Sequence, residues 1–342
     1  MMNRLRTFAG IALSFTLVAA LAAGCGQAGR KGTGQTPGKG SEPQPVRFAL
    51  VTDFGGLSDG GINESAWAGL ARIAAETGSR AEAQQSATES DYAANLEYFA
   101  NLGAELIWGA GDLLEDAVRT VAEQYPELGF AILDGFADVP NVASVTFRLE
   151  EGAYLAGVAA ASMSSTGIIG FVRGYDTEEA RRYEKAFRAG AAAVNGAVRV
   201  RTESADSFTD PGRGRKAAAK LIDGGADILL HAAGLAGDGV FEEALARRET
   251  GADVKVIGFG RDEGARFGHE VTLASFVKHY DLAVEDMTRR YAEGSLPFGE
   301  TSLGVADGYV GLALRSPNLP EEVRDAVKRF AEEIGSGRIE VP

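Results

Sequence analysis

Residues 48–70 read FALVTDFGGLSDGGINESAWAGL. The apolar run 48–52 fits a buried parallel strand, the glycine-rich segment 55–61 fits a turn, and Ile62, Ala66, Leu70 and Ile73 recur at helical spacing. The stretch predicts strand, loop and helix. In open α/β sheets ligands bind outside the carboxyl ends of the strands, so the loop carrying Asp53, Asp59 and Asn63 is a candidate site wall. Its polar groups are carboxylates and an amide. They suit a ligand rich in hydroxyl or amine donors better than a phosphate.

The same alternation continues downstream. Tyr92, Leu96 and Phe99 lie on one face of a helix begun by Ser90 or Asp91, and a strand follows at 106–108. Asp112 and Glu115 have capping-box spacing for a helix bearing Leu114, Val118 and Val121. Strands are predicted at 130–133 and 142–147, and a helix at 150–163 leads into a second series. Its strands are 168–172, 198–202, 228–231 and 254–257, with helices at 177–194, 212–222 and 238–249. A strand at 271–277, a helix at 282–291, an extended return at 301–305 and a helix at 320–334 complete the chain. Regular βα alternation predicts a parallel, doubly wound sheet, and two such series predict two lobes.

The 342 residues, 45% of them hydrophobic, suffice for about two domains of roughly 150 residues. A net charge of −14 argues against nonspecific nucleic-acid binding, which needs a cationic surface. The histidines (His231, His269, His279) and the single cysteine, Cys25, are far apart in the chain, so no Cys/His metal cluster or nucleophile pair is expected, although a carboxylate-only metal site stays open. Arg4 and Arg6 precede an apolar stretch at 8–23 that ends before Gly24 and Cys25, the pattern of a secretory signal. LAAGC at 21–25 resembles the bacterial lipoprotein signal, with Ala22 where leucine is more usual. The reading is a signal at 1–24, lipidation of Cys25, and a Gly/Pro-rich flexible tether over 25–45. A membrane anchor would be marginal at this length.

The glycines carry no cofactor fingerprint. Gly258, Gly260 and Gly264 follow a strand with the third glycine one position late, Gly109 and Gly111 lack a third partner, and neither a P-loop nor a G-x-S-x-G motif occurs. No cofactor is expected. What recurs is a polar residue just past a strand: Asp53, Asp134, the 206–210 loop, the 258–262 segment and Lys278. Converging from two lobes, these would line one cleft, the design of a solute-binding protein that closes by a hinge.

The stretches ALVTDFGGLSDGGINESAWAGL, SDYAANL, NVASVTFRLEEGAYLAGVAAA, SFTDP and LASFVK resemble the basic membrane protein family, the PnrA-like lipoproteins that serve ABC importers as substrate-binding components. The resemblance runs from about residue 46 to the C-terminal region. It implies the type I periplasmic-binding-protein fold, two Rossmann-like lobes joined by three crossovers, with lobe 1 at 46–149 and 279–300 and lobe 2 at 150–278 and 301–342. It also implies an extracytoplasmic, lipid-anchored monomer that captures a nucleoside, expected to be a purine nucleoside, and hands it to an ABC permease without catalysis. Carried onto this sequence, it places Asp59 and Asn63 on the first wall, Asp134 against the base, Phe208 stacked on the base, Lys278 at the ribose hydroxyls, and Gly258, Gly260 and Asp262 at the sugar end. An aromatic face adds about 0.5 to 1.5 kcal/mol for a flat ligand beyond area burial. Two positions depart from the family pattern: Ile62 stands where phenylalanine is usual, and Gly260 where an aspartate is.

Other roles stand beside these. Asp59 suits an N-cap, Phe208 suits a staple ahead of a helix started by Asp210 and Pro211, Lys278 suits solvent, Asp262 suits a loop cap, and His231 suits a satisfied histidine near the surface. Trp67 and Trp108 fit the core. The alternatives for the whole chain are a binder of a different small polar solute, a ligand-sensing regulatory lipoprotein, and an enzyme such as a nucleoside hydrolase, for which no catalytic pair stands out.

Overall fold

The computed structural model describes residues 47–314, 317 and 319–342. The predicted signal, Cys25 and the tether lie outside them. β1 (Arg47–Thr52) is followed by α1 (Ile62–Thr77), β2 (Arg80–Gln85), α2 (Tyr92–Asn101), β3 (Leu106–Ala110), α3 (Glu115–Gln124), β4 (Gly129–Leu133) and β5 (Val142–Phe147). The long α4 (Leu149–Met163) leads to the second series: β6 (Ile168–Arg173), α5 (Glu178–Val194), β7 (Arg199–Ser204), α6 (Pro211–Asp223), β8 (Ile228–Ala232), α7 (Ala236–Glu249), β9 (Lys255–Gly260), the short α8 (Gly264–Phe267) and β10 (Thr272–Lys278). Then come α9 (Tyr280–Ala292), β11 (Gly299–Leu303), β12 (Val310–Ala313) and α10 (Glu321–Gly335).

Two six-stranded sheets result, ordered β11-β5-β4-β3-β1-β2 and β12-β10-β9-β8-β6-β7. The first is parallel throughout. In the second, β12 runs antiparallel to β10 at the edge, a departure from the all-parallel expectation. In each sheet the order reverses beside its first strand, between β1 and β3 and between β6 and β8. Such switch points are where doubly wound sheets hold ligands, because the flanking helices leave on opposite faces and open a crevice.

The strands read as continuous apolar runs because both faces are covered. Along β1, Phe48 and Leu50 join an apolar cluster that also takes in Trp108 of the first sheet, α4, and Phe171, Leu230 and Phe276 of the second. Ala49 and Val51 point the other way, into a cluster with α2 and α3. The second sheet has its own outer cluster under α6 and α7. Trp108 is fully buried and its indole N–H bonds Thr288 Oγ1 at 3.0 Å.

Three details differ from the sequence reading. β2 went unpredicted because RAEAQQ carries no apolar side chain larger than alanine; it is held by its ladder to β1. The capping box at Asp112 and Glu115 does not form: residues 112–114 make a 3-10 turn, and Glu115 Oε1 instead accepts from the Phe136 N–H at 2.8 Å. The extended return predicted at 301–305 is the strand Gly299–Leu303, which begins two residues earlier and pairs with β5. Among the described residues no helix is long and apolar enough to cross a membrane.

Candidate functional site

Asp53, Asp134, Asp262 and Lys278 sit at or just past strand ends, while Asp59 and Asn63 belong to the loop and first turn that start α1. After β1, the Asp53 carboxylate accepts from the Gly55 N–H (2.8 Å) and from Asn63 Nδ2 (2.7 Å). Asp59 accepts from the backbone N–H of Gly61, Asn63 and Glu64 and from Asn63 Nδ2, at 2.8 to 3.2 Å. Both its oxygens are thus occupied in starting α1, the N-capping role in substance, although Gly61 holds the cap position. Asn63 is fully buried. Two carboxylates accepting from one Nδ2 fix its amide orientation, and Oδ1 is left buried without a partner.

On the other side of the switch point, Asp134 leaves β4 in the left-handed region (φ 60°), which aspartate tolerates better than most residues. Its Oδ2 accepts from Lys278 Nζ at 2.6 Å and from the Tyr280 hydroxyl at 2.7 Å. Burial, reinforced by Asp134, pushes the Tyr280 phenol well above its ordinary pKa, so it stays a donor. Lys278 also lies 5.0 Å from the Tyr280 ring centroid. Lys278 and Tyr280 flank the junction of β10 and α9, where the chain passes between sheets. α9 is docked on α1 so closely that a Cβ on Gly69 would overlap the Asp281 carbonyl, and the Asp281 N–H bonds Ser65 Oγ at 3.1 Å.

Two chambers lie between the sheets. The larger, about 940 Å³, is bordered by Gly60, Ile62 and Ser65 from the first sheet's side, by His231, Leu235, Gly260 and Asp262 from the second, and by Lys278, Tyr280 and the β12 segment. The smaller, about 390 Å³, takes Asp53, Asp112 and Asp134 from the first side and Glu179, Arg182 and Tyr183 of α5 from the second. Ile62, Lys278 and Tyr280 border both. The smaller chamber holds five carboxylates (Asp53, Asp112, Asp134, Glu150, Glu179) against Arg182 and Lys278. Such a lining accepts hydroxyl and amine donors and repels a phosphate. Among the described residues no group of three or more Asp, Glu, His or Cys is placed to hold a metal ion.

Of the sequence-predicted residues, Asp134 and Lys278 meet directly, and Lys278, Gly260 and Asp262 share the larger chamber. Asp262 caps the following turn by accepting from the Gly264 N–H at 3.1 Å. Gly258 borders neither chamber; a Cβ there would press on Glu263 and Ser275. Phe208 also borders neither. It is 45% exposed, edge-on to Tyr175 at 5.2 Å, beside the chamber rim where its carbonyl accepts from the Ala236 N–H. Asp210 and Pro211 do start α6.

Sequence reasoning missed Glu179, Arg182, Tyr183 and Tyr280, which enter from helices; only the tertiary fold brings them in. The Tyr183 hydroxyl donates to Glu179, and burial with that bond raises the phenol's pKa. It also missed Arg261, held by Glu263 at 2.9 Å and reaching the Gly60 carbonyl at 3.3 Å, a contact between the two sides of the larger chamber. His231 is not a satisfied surface histidine: it is 4% exposed and neither ring nitrogen has a partner.

Comparison with known proteins agrees with this architecture. Residues 47–342 match the family model described as ABC transporter substrate-binding protein PnrA-like. The chain is 34% identical to the ABC transporter nucleoside-binding protein BmpA of Lactococcus lactis, over 98% of this chain and 99% of that one. It is 35% identical to the CD4+ T-cell-stimulating antigen of Listeria monocytogenes, over 98% of each chain. Among solved structures, an ABC transporter solute-binding protein from Aeropyrum pernix superposes with a TM-score of 0.69 at 26% identity, covering 87% of this chain and 94% of that one. Two facing sheets with a cleft at their switch points are therefore the solute-binding architecture expected from the sequence, and the chain belongs to the PnrA-like family of ABC transporter substrate-binding proteins.

Proposed function

We propose that this protein is an extracytoplasmic lipoprotein, anchored through Cys25, that captures a nucleoside between its two lobes, a purine nucleoside by preference, and delivers it to an ABC permease without chemical change. The observation that carries the reading is the pairing of a carboxylate-rich chamber with exposed apolar side chains at strand ends of both sheets. Phe54 and Phe136 stand on the first side, and Tyr175, Phe208 and Leu235 on the second. Hinge closure over a flat base would bury these surfaces at about 25 cal/mol per Å², while Asp134 and Lys278 exchange their mutual bond for bonds to the solute.

The name of the Lactococcus relative supports the ligand class. Ile62 at the junction of both chambers supplies an apolar face in place of a ring, and Gly260 supplies none of the acceptors an aspartate would; Asp262 borders the same chamber and stands in as an acceptor. Differential scanning fluorimetry of the full-length protein with adenosine, guanosine, inosine, cytidine and uridine tests the reading. Saturating ligand at 100 times Kd stabilises by about 2.7 kcal/mol, a readily measured rise in Tm; indifference to all five would remove the nucleoside assignment. Anchoring is tested separately, since Cys25→Ala should move the protein from the membrane to the soluble fraction.

A further inference from the structure

The chain passes between the two sheets on three segments, from β5 to α4, from β10 to α9 and from β11 to β12. Contacts on those segments, such as Lys278 with Asp134, lie beside the hinge and can survive a parting of the lobes. The bond between Arg261 and Gly60 is placed differently. Arg261, just past β9 of the second sheet, donates from an Nη to the Gly60 carbonyl at 3.3 Å, in the loop between β1 and α1 of the first. Neither residue is on a crossing segment, and both border the larger chamber. A hinge rotation that separates the loops after β1 and β9 breaks this bond.

The second lobe holds the arginine in place from behind. Arg261 Nε donates to Glu263 Oε1 at 2.9 Å, which leaves the Nη groups to reach the first lobe. Glu263 is buried, its backbone N–H bonds Ser275 Oγ of β10 at 2.9 Å, and its other oxygen accepts from Arg266 at 3.1 Å. Arg266 in turn forks onto Asp238 of α7 at 2.8 and 3.0 Å. Alternating charges thus run from α7 to the chamber, and the rotamer entropy of the long side chain is already given up within the second lobe. On the first lobe the acceptor is fixed as well. Gly60 lies in the left-handed region (φ 63°), and its N–H donates to Glu64 Oε2 at 3.0 Å. A Cβ on Gly60 would stand only 3.0 Å from the Arg261 Nη, so glycine leaves room for the guanidinium at the carbonyl.

We propose that Arg261 is an interlobe latch, which favours the closed cleft through a contact of the protein's own and so sets how long a captured solute stays. The inference goes beyond the nucleoside reading, because the bond joins two parts of the chain and involves no solute. The Arg261 side chain is partly exposed, and a hydrogen bond from a charged donor in that setting shifts an open–closed equilibrium by on the order of five- to tenfold.

Small-angle X-ray scattering of the full-length protein, stripped of copurified solute, tests the latch with no ligand added. Wild type should be more compact than Arg261→Ala, and Arg261→Lys, which keeps a donor on a stem of similar reach, should scatter like wild type. The same radius of gyration in wild type and Arg261→Ala would overturn the proposal. So would an Arg261→Lys as expanded as Arg261→Ala, which would assign the effect to guanidinium packing on Glu263 and not to the bond with Gly60. If the melting curve of Arg261→Ala shows that it does not fold, Arg261→Gln takes its place, because its amide can still bond Glu263 but is too short for Gly60. Stopped-flow release of guanosine and inosine gives the kinetic readout. The dissociation rate should rise about fivefold in Arg261→Ala with no fall in the association rate; an unchanged dissociation rate would overturn the role in residence time. A wild type that binds no nucleoside defeats the nucleoside reading alone, and the scattering comparison still decides the latch.

Discussion

Lys278 Nζ, at the end of β10, lies 2.6 Å from Asp134 Oδ2, just past the end of β4. The pair joins a strand end of the first sheet to the segment on which the chain crosses between sheets, and both residues border the smaller chamber. Asp134→Asn keeps a side chain that tolerates the left-handed backbone while removing the charge. It should cost about 1 to 3 kcal/mol of stability in urea unfolding, as for other partly buried charged hydrogen bonds, and nucleoside affinity should fall tenfold or more in titration calorimetry. Wild-type affinity in this variant would remove Asp134 from the site.

Phe208 separates a binding role from a structural one. Its ring is half-exposed, edge-on to Tyr175 and lying close over Gly174. Phe208→Ala should therefore change unfolding free energy by no more than about 0.5 kcal/mol, as surface substitutions do. If the ring stacks on the solute, affinity should fall about tenfold in the same variant. A loss of stability without loss of affinity would mark Phe208 as a packing residue.

His231 predicts a pH dependence with a definite sign. Its folded-state pKa, about 4, is below the unfolded value of 6.5, so between these values the unfolded chain binds a proton that the native protein does not. Its contribution is complete above about pH 6.5 and is lost as pH falls towards 4, amounting to roughly 3 kcal/mol in full. The difference in urea-unfolding free energy between wild type and His231→Gln should shift against wild type across that window. Parallel curves would show that the ring finds a partner in solution.

Gly69 tests how the crossing segment is anchored. Gly69→Ala drives a methyl into the Asp281 carbonyl and should cost about 3 kcal/mol as α9 is pushed off α1. Gly78, in the left-handed region at the end of α1 with open space around it, is the control: Gly78→Ala should cost about 1 kcal/mol through backbone strain alone. Comparable losses at both positions would mean that the α1–α9 contact is not close.

Much of the fold was legible because both faces of each sheet are covered, which turns β1, β3, β4 and β8 into uninterrupted apolar runs between amphipathic helices. β2 was hard to read for the opposite reason: it flanks its sheet and half-buries polar side chains, so the ladder, not the side chains, makes it a strand. Asp134 and Lys278 were legible because strand ends announce themselves. Tyr183 and Arg182 were not, since they come from the middle of an ordinary helix. Asp59 shows the limit of motif reading, its oxygens being occupied by the start of α1. His231 could have been suspected from a lone imidazole closing an apolar strand, but its lack of partners is a tertiary fact.

Whether the cleft binds nucleosides is decided by calorimetric titration of the full-length wild-type protein, freed of copurified solute, with each of the purine and pyrimidine nucleosides. Saturable one-to-one binding of at least one purine nucleoside is expected, weakened in Asp134→Asn and Phe208→Ala alike. Absence of binding by every nucleoside, or binding that both variants leave intact, would contradict it.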